Sequence, residues 1–287
     1  MQIFLTGILV LIRILSNSLS NVFQKKLAEY GENPVCINFI NYLLLALFCI
    51  PLIFLTHNQT IQNGFWLNAL IGGVCGALCN YYMVEALKYG ELSVLGPINS
   101  YKSVIGLIFA IFLLGEIPDF HGLLGVLLII FGSYFIFDTL NPIKIAERKD
   151  IQYRFLALFF SAMEAVFIKK VILLSSIRIS FIASCFLGAI FSYIIFKLTT
   201  KTKLTIPKTK STLLYLLTAL CFGLMTYTTA VVFKRINVGY ALSLFQLSVI
   251  LNLLFGWKIF KEKHILRKLT GSVIIICGAV LVIIFSH

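Results

Sequence analysis

The chain has 287 residues, of which 60% are hydrophobic and only 12% charged, about half the charged share of an ordinary soluble domain. Its net charge is +13, but the basic residues lie mostly in short segments between apolar runs, where they set orientation and meet anionic headgroups. A soluble globular domain and a nucleic-acid-binding protein are set aside, and the lipid bilayer becomes the expected partner.

Ten apolar stretches follow one another, at 3–21, 36–55, 65–86, 93–114, 120–138, 153–170, 179–197, 212–233, 239–260 and 266–285. Each is close to the roughly 20 residues that cross a bilayer core as a helix. A backbone in lipid must satisfy its own hydrogen bonds, so all ten are predicted to be transmembrane helices. The connections are short, the longest near 139–152 and 198–211, and none could bury a core of its own.

Span 1 lacks a basic leader and a small-residue cleavage site, so it reads as a retained helix and not as a signal peptide. Arg13 stands near its middle, and Arg13, Ser16, Asn17, Ser20 and Gln24 recur at spacings of three and four, on one face. A full charge at that depth costs several kcal/mol unless it meets a partner or a watery cavity. The plainer reading of the small polar residues is hydrogen bonding between packed helices.

Span 3 carries Asn80, Tyr81 and Glu85. Tyr81 could stack a solute or join an interfacial aromatic belt. Glu85, three residues before Lys88, is either a proton-coupling acid or half of a local ion pair. Span 4 offers Pro97, Asn99, Lys102, Ser103 and Gly106. Pro97 frees backbone carbonyls, and a kink beside Lys102 reads as a substrate clamp. Its alternative is a structural kink with a lysine that snorkels to the surface.

The glycines of spans 5 and 10 form close packing surfaces and a candidate homodimer contact. Glu164 on span 6 either takes up and releases a proton or neutralises Arg13 or Lys102. Gln246 and Asn252 on span 9 are further polar candidates for substrate contact. The seven cysteines all lie in apolar segments, without metal-ligand spacing to histidine, so no metal or cofactor is expected. His57, His121, His264 and His287 are isolated, and Asp119, Asp138 and Asp150 form no paired motif. An enzyme is therefore not expected.

The chain repeats itself. At an offset of 146, Cys75 falls on Cys221, Tyr81 on Tyr227, Lys88 on Lys234, Glu116 on Glu262, Gly125 on Gly271 and Gly132 on Gly278. At 144, Val22-Phe23-x-Lys25-Lys26 falls on Val166-Phe167-x-Lys169-Lys170. The halves, 1–140 and 151–287, hold five spans each. An odd number makes them cross in opposite directions, as inverted repeats around a central site. Lys102, Glu85, Glu164 and Arg13 have no charged counterpart in the other half, which suits contacts to an asymmetric solute.

Ala86-Leu87-Lys88-Tyr89, a helix ending in Leu114-Gly115-Glu116, and a following helix with spaced glycines resemble the EamA type of drug/metabolite transporter. Phe233-Lys234 through Lys261-Glu262 and Gly271 repeats the pattern, with Lys261 where a glycine equivalent to Gly115 is expected. The resemblance covers essentially the whole chain and implies secondary-active transport of a small metabolite or drug, through a cell membrane and without cofactor.

From the residues, the solute is expected to be anionic or zwitterionic, held by Arg13, Asn17, Tyr81, Asn99, Lys102 and Gln246, with Glu164 and Glu85 as proton-coupling or ion-pairing acids. A flippase for a lipid-linked headgroup and a non-transporting membrane subunit are the alternatives. Lys and Arg concentrate in the loops after odd-numbered spans, densest at 197–210 and 258–268. The positive-inside rule then puts both termini outside the cytoplasm, whereas the resemblance implies both inside.

Overall fold

A computed structural model describes residues 2–54, 60–102, 104–105, 120–137, 142–200, 209–236 and 238–284. Every regular element among them is a helix. In the first half these are α1 (Gln2–Glu29), α2 (Pro34–Phe54), α3 (Phe65–Tyr89), α4 (Leu92–Ile98) and α5 (Phe120–Ser133). After the short α6 (Pro142–Ala146) come α7 (Lys149–Leu173), α8 (Ile177–Thr199), α9 (Thr209–Arg235), α10 (Val238–Phe245), α11 (Ser248–Phe260) and α12 (Ile265–Ile284). Phe4–Glu29, Pro34–Phe54, Phe65–Tyr89, Ile177–Thr199 and Ser211–Arg235 are long and apolar enough to cross a membrane. With the exposed Leu67, Leu127, Leu198 and Leu213 on the outside, this is a multi-pass membrane protein.

Local chemistry sets several helix ends. Asn33 precedes Pro34, the first residue of α2, and its Oδ1 accepts the Val35 N–H at 3.0 Å. Proline loses nothing at that position because its missing N–H would have had no partner. Ser176 caps α8 by accepting the Ile179 N–H at 3.2 Å.

The main packing pairs each join one helix from either half: α1 with α9, α3 with α7, α2 with α8, α5 with α12 and α4 with α11. Exchanging the halves turns the α1–α9 contact into the α7–α3 contact and leaves α2–α8 and α5–α12 as they are. The glycines show the same reciprocity. A Cβ on Gly271 would lie 2.6 Å from the Gly132 carbonyl oxygen, and one on Gly278 would lie 2.6 Å from that of Gly125. The glycine faces therefore meet inside one chain.

Two predicted spans are not continuous helices. Span 4 breaks after α4 at Asn99 and Ser100, and span 9 breaks between α10 and α11 at Gln246 and Leu247. Both breaks close with i→i+3 backbone bonds, Ser100 N–H to the Pro97 carbonyl at 3.0 Å and Val249 N–H to that of Gln246 at 2.9 Å. Pro97 accounts for the first break. The second carries neither proline nor glycine and occupies the matching place in the repeat.

At the end of α11, Lys261 adopts φ 52, the left-handed backbone for which glycine was expected. A lysine therefore takes the left-handed conformation here, at a strain of about 1–2 kcal/mol.

Candidate functional site

α1, α3, α7 and α9, with the two helix breaks, enclose a polar cavity of about 150 Å³ at the seam between the halves. Arg13, Asn17, Asn99, Lys102 and Glu164 all line it. The sequence separates these residues by up to 151 positions, and the fold brings them together. The volume suits a small solute with its water and is below the 300–1,000 Å³ usual for drug-sized ligands.

Arg13 is held on two sides. Its Nε donates to the Thr229 hydroxyl at 3.3 Å, and its guanidinium carbon lies 4.0 Å from the Phe245 ring centroid, a cation–π distance. Its Nη1 is buried and has no hydrogen-bond partner among the described residues. Lys102 donates to the Ser161 hydroxyl at 2.9 Å. Among the described residues neither cation lies within ion-pair distance of Glu164, but Lys102 and Glu164 attract one another across the cavity, so both the pairing and the proton-coupling readings of Glu164 stand. Gly76 makes room for its carboxylate, since a Cβ there would lie 2.7 Å from Glu164 Oε1.

A third cation was not anticipated. Arg154 reads in the sequence as a loop-flanking residue, but α7 begins at Lys149, so Arg154 already lies more than a turn inside it. It is buried and lines the cavity. Its Nε donates to the Leu95 carbonyl at 3.0 Å, its Nη2 to Asn99 Oδ1 at 2.8 Å, and its Nη1 faces Met83 Sδ at 2.9 Å. Arg154 thus ties the last turn of α4 to the start of the span 4 break. The signal for it was its place seven residues before Ser161 and ten before Glu164, on one face of the helix. Among its described lining residues, three cations and one carboxylate give the cavity a positive balance.

A second polar layer supports α1. Gln24 donates to Asn80 Oδ1 at 2.9 Å, Asn80 to Asn38 Oδ1 at 2.7 Å, and Asn38 to the Ala77 carbonyl at 3.2 Å. Ser20 Oγ and Asn252 Oδ1 are buried without partners among the described residues, and both residues line the cavity.

Three sequence candidates lie elsewhere. Tyr81 packs its ring 4.9 Å from that of Tyr82 and bonds to Glu85 on the next turn of α3, so these two form a local pair off the cavity. Gln246 is buried at the second helix break, where its Oε1 accepts from the Ser100 hydroxyl at 3.0 Å. Its polar group serves the contact between the breaks. Ser103 and Gly106 lie outside the described residues.

Comparison with curated proteins returns no match. Among solved structures, one titled "Crystal structure of protein" superposes on 96% of this chain and 95% of its own with a TM-score of 0.66, at 15% identity, a likeness of fold alone. The EamA-like transporter family matches twice, at residues 5–138 and 150–284. The two matches span nearly the whole molecule, and the chain belongs to the EamA-like transporter family.

Proposed function

We propose that the chain is a secondary-active transporter of a small anionic or zwitterionic metabolite, moved through a cell membrane by alternating access at this cavity. Ten spans in two inverted five-helix repeats carry it, with boundaries near 1–140 and 151–287. Support for the inversion comes from the reciprocal helix contacts and from the paired helix breaks, because discontinuous helices at repeat-related positions mark the central site of such transporters.

One observation carries the proposal: Arg13 Nη1, which has no hydrogen-bond partner among the described residues, shares one buried cavity at the seam with the Lys102 and Glu164 side chains. A protein that needed only to pack would not keep such groups at mid-depth. Arg13 Nη1 and Lys102 would receive a carboxylate or phosphate. Glu164 and Asn252 would accept from a cationic or hydroxyl group, and Glu164 is placed to couple transport to protons. A non-transporting subunit would leave these charges without a role. An apolar groove of about 710 Å³ runs beside Tyr101, Phe131 and Phe155. It shares no described lining residue with the cavity.

Purified protein in sealed vesicles, screened against small anions and zwitterions with and without a proton gradient, tests the reading. Wild type is expected to move at least one solute, and K102M to abolish that flux while inserting normally. Glu164→Gln is expected to remove the response to the proton gradient. Unchanged flux in K102M would take Lys102 out of the site.

A further inference from the structure

Away from the solute-facing groups, a buried ion pair ties the halves together. Lys25 follows the cavity-lining Gln24 on α1, and its Nζ donates to Glu262 Oε1 at 2.7 Å, with the two side chains only 9% and 4% exposed. The same carboxylate accepts the Leu92 and Ser93 N–H groups at 2.8 Å each. These are the first amides of α4, whose far end leads into the cavity at Asn99, about 10 Å away along the helix. Lys268 on α12 reinforces the cluster by donating to the Ser93 hydroxyl at 2.9 Å and pairing with Glu91.

The backbone around Glu262 is arranged for this contact. Lys261 and His264, on either side of it, are the non-glycine residues with positive φ among those described, a conformation that L residues disfavour. Gly256 leaves the space that the carboxylate fills. The repeat counterpart of Lys25 is in a different state: Lys169 donates to the Phe233 carbonyl and pairs with no carboxylate among the described residues. Glu116, the counterpart of Glu262, lies outside the described residues.

We propose that Lys25, Glu262 and the first turn of α4 form a gate, closed in this structure at the Lys25 end of the cavity, which must part for solute to pass there. This rests on the transporter reading. A permanently buried ion pair holds a fold no better than apolar packing of the same volume. An ion pair at a gate differs, because both partners regain water when they separate. Parting Glu262 from Leu92 and Ser93 also frees α4, and with it Asn99, so opening the gate reshapes the cavity wall.

Native Cys79 lines the cavity and reports its access to water. The experiment measures modification of Cys79 by a small, charged, membrane-impermeant methanethiosulfonate, which forms a mixed disulfide with the thiolate and releases methanesulfinate, in sealed vesicles of either orientation, read peptide by peptide. K25M and E262Q are expected to raise the Cys79 rate about tenfold or more, from the face on which α1 ends and not from the other. R148Q, which breaks the Arg148–Asp150 pair at 2.8 Å, is expected to leave the rate unchanged.

An unchanged Cys79 rate in folded K25M, or an equal rise from both faces, overturns the proposal. K25M leaves the carboxylate on the α4 amides and decides the matter where E262Q does not insert. Loss of folding in both variants would make the pair structural cement and also overturn it. A chain that moves no solute yet opens Cys79 in K25M refutes the transporter reading and keeps the seal. A chain that transports while Cys79 in K25M stays closed does the reverse.

Discussion

Ser100 and Gln246 are 146 residues apart, which is the offset of the internal repeat, and the Ser100 hydroxyl donates to Gln246 Oε1 at 3.0 Å. Each stands at the break in its half's interrupted helix. The two interruptions therefore touch at positions that exchange when the halves are exchanged, next to the cavity that both breaks help to form. Hydrogen bonds between membrane helices contribute about 0.6 kcal/mol on average and reach about 1.7. A double-mutant cycle of S100A and Q246L, followed by thermal unfolding in detergent, is expected to give a coupling energy in that range. A value near zero would mean that the breaks are held independently.

The α5–α12 contact has no room for side chains at its glycines. G271A and G278A each place a methyl group 2.6 Å from a backbone carbonyl oxygen, and each is expected to destabilise the protein by about 1–3 kcal/mol. Gly7 has no atom within 4 Å of an added Cβ, so G7A is expected to be neutral or slightly stabilising. Unfolding midpoints of the three variants check this contrast.

Lys261 holds a left-handed backbone without being glycine. K261G removes about 1–2 kcal/mol of strain and returns part of it through the greater freedom of glycine in the unfolded chain. A net gain of up to about 1 kcal/mol is expected, seen as a small rise in melting temperature.

Burial alone would push the Glu262 carboxyl up, but the Lys25 ammonium and hydrogen bonds from Lys25 and Ser93 outweigh it and hold the group below the ordinary carboxylate value. A carboxyl that binds its proton less readily when folded contributes stability above its unfolded value and loses it as pH falls through its folded one. Between about pH 5 and about pH 3 the wild type is expected to lose stability more steeply than E262Q. Parallel melting curves against pH would contradict the assignment.

The five helices long and apolar enough to cross a membrane were legible because lipid demands such helices, and the repeat because lysines, glutamates and glycines recur at one offset. Arg13, Asn17, Asn99, Lys102 and Glu164 could be picked out since charge and amide groups are costly in the middle of such helices. Arg154 could not, because its span follows a charged segment at 144–150 and its depth depends on where α7 starts. The break at Gln246 was also hidden. Its flanking residues Leu244, Phe245, Leu247 and Ser248 carry no helix-breaking chemistry, and the interruption follows from tertiary contacts. Tyr81 was misplaced because side-chain periodicity on α3, apolar on nearly all sides, does not say which face meets the cavity.

The cap on α4 also orders the steps of biosynthesis. The Leu92 and Ser93 amides leave the ribosome 170 and 169 residues ahead of the carboxylate that receives them, a delay of about 10–30 s at ordinary elongation rates. For that interval the short helix has no native acceptor for its leading N–H groups. The earlier helices can enter the bilayer, but α4 cannot reach its final arrangement until the turn before the last helix arrives.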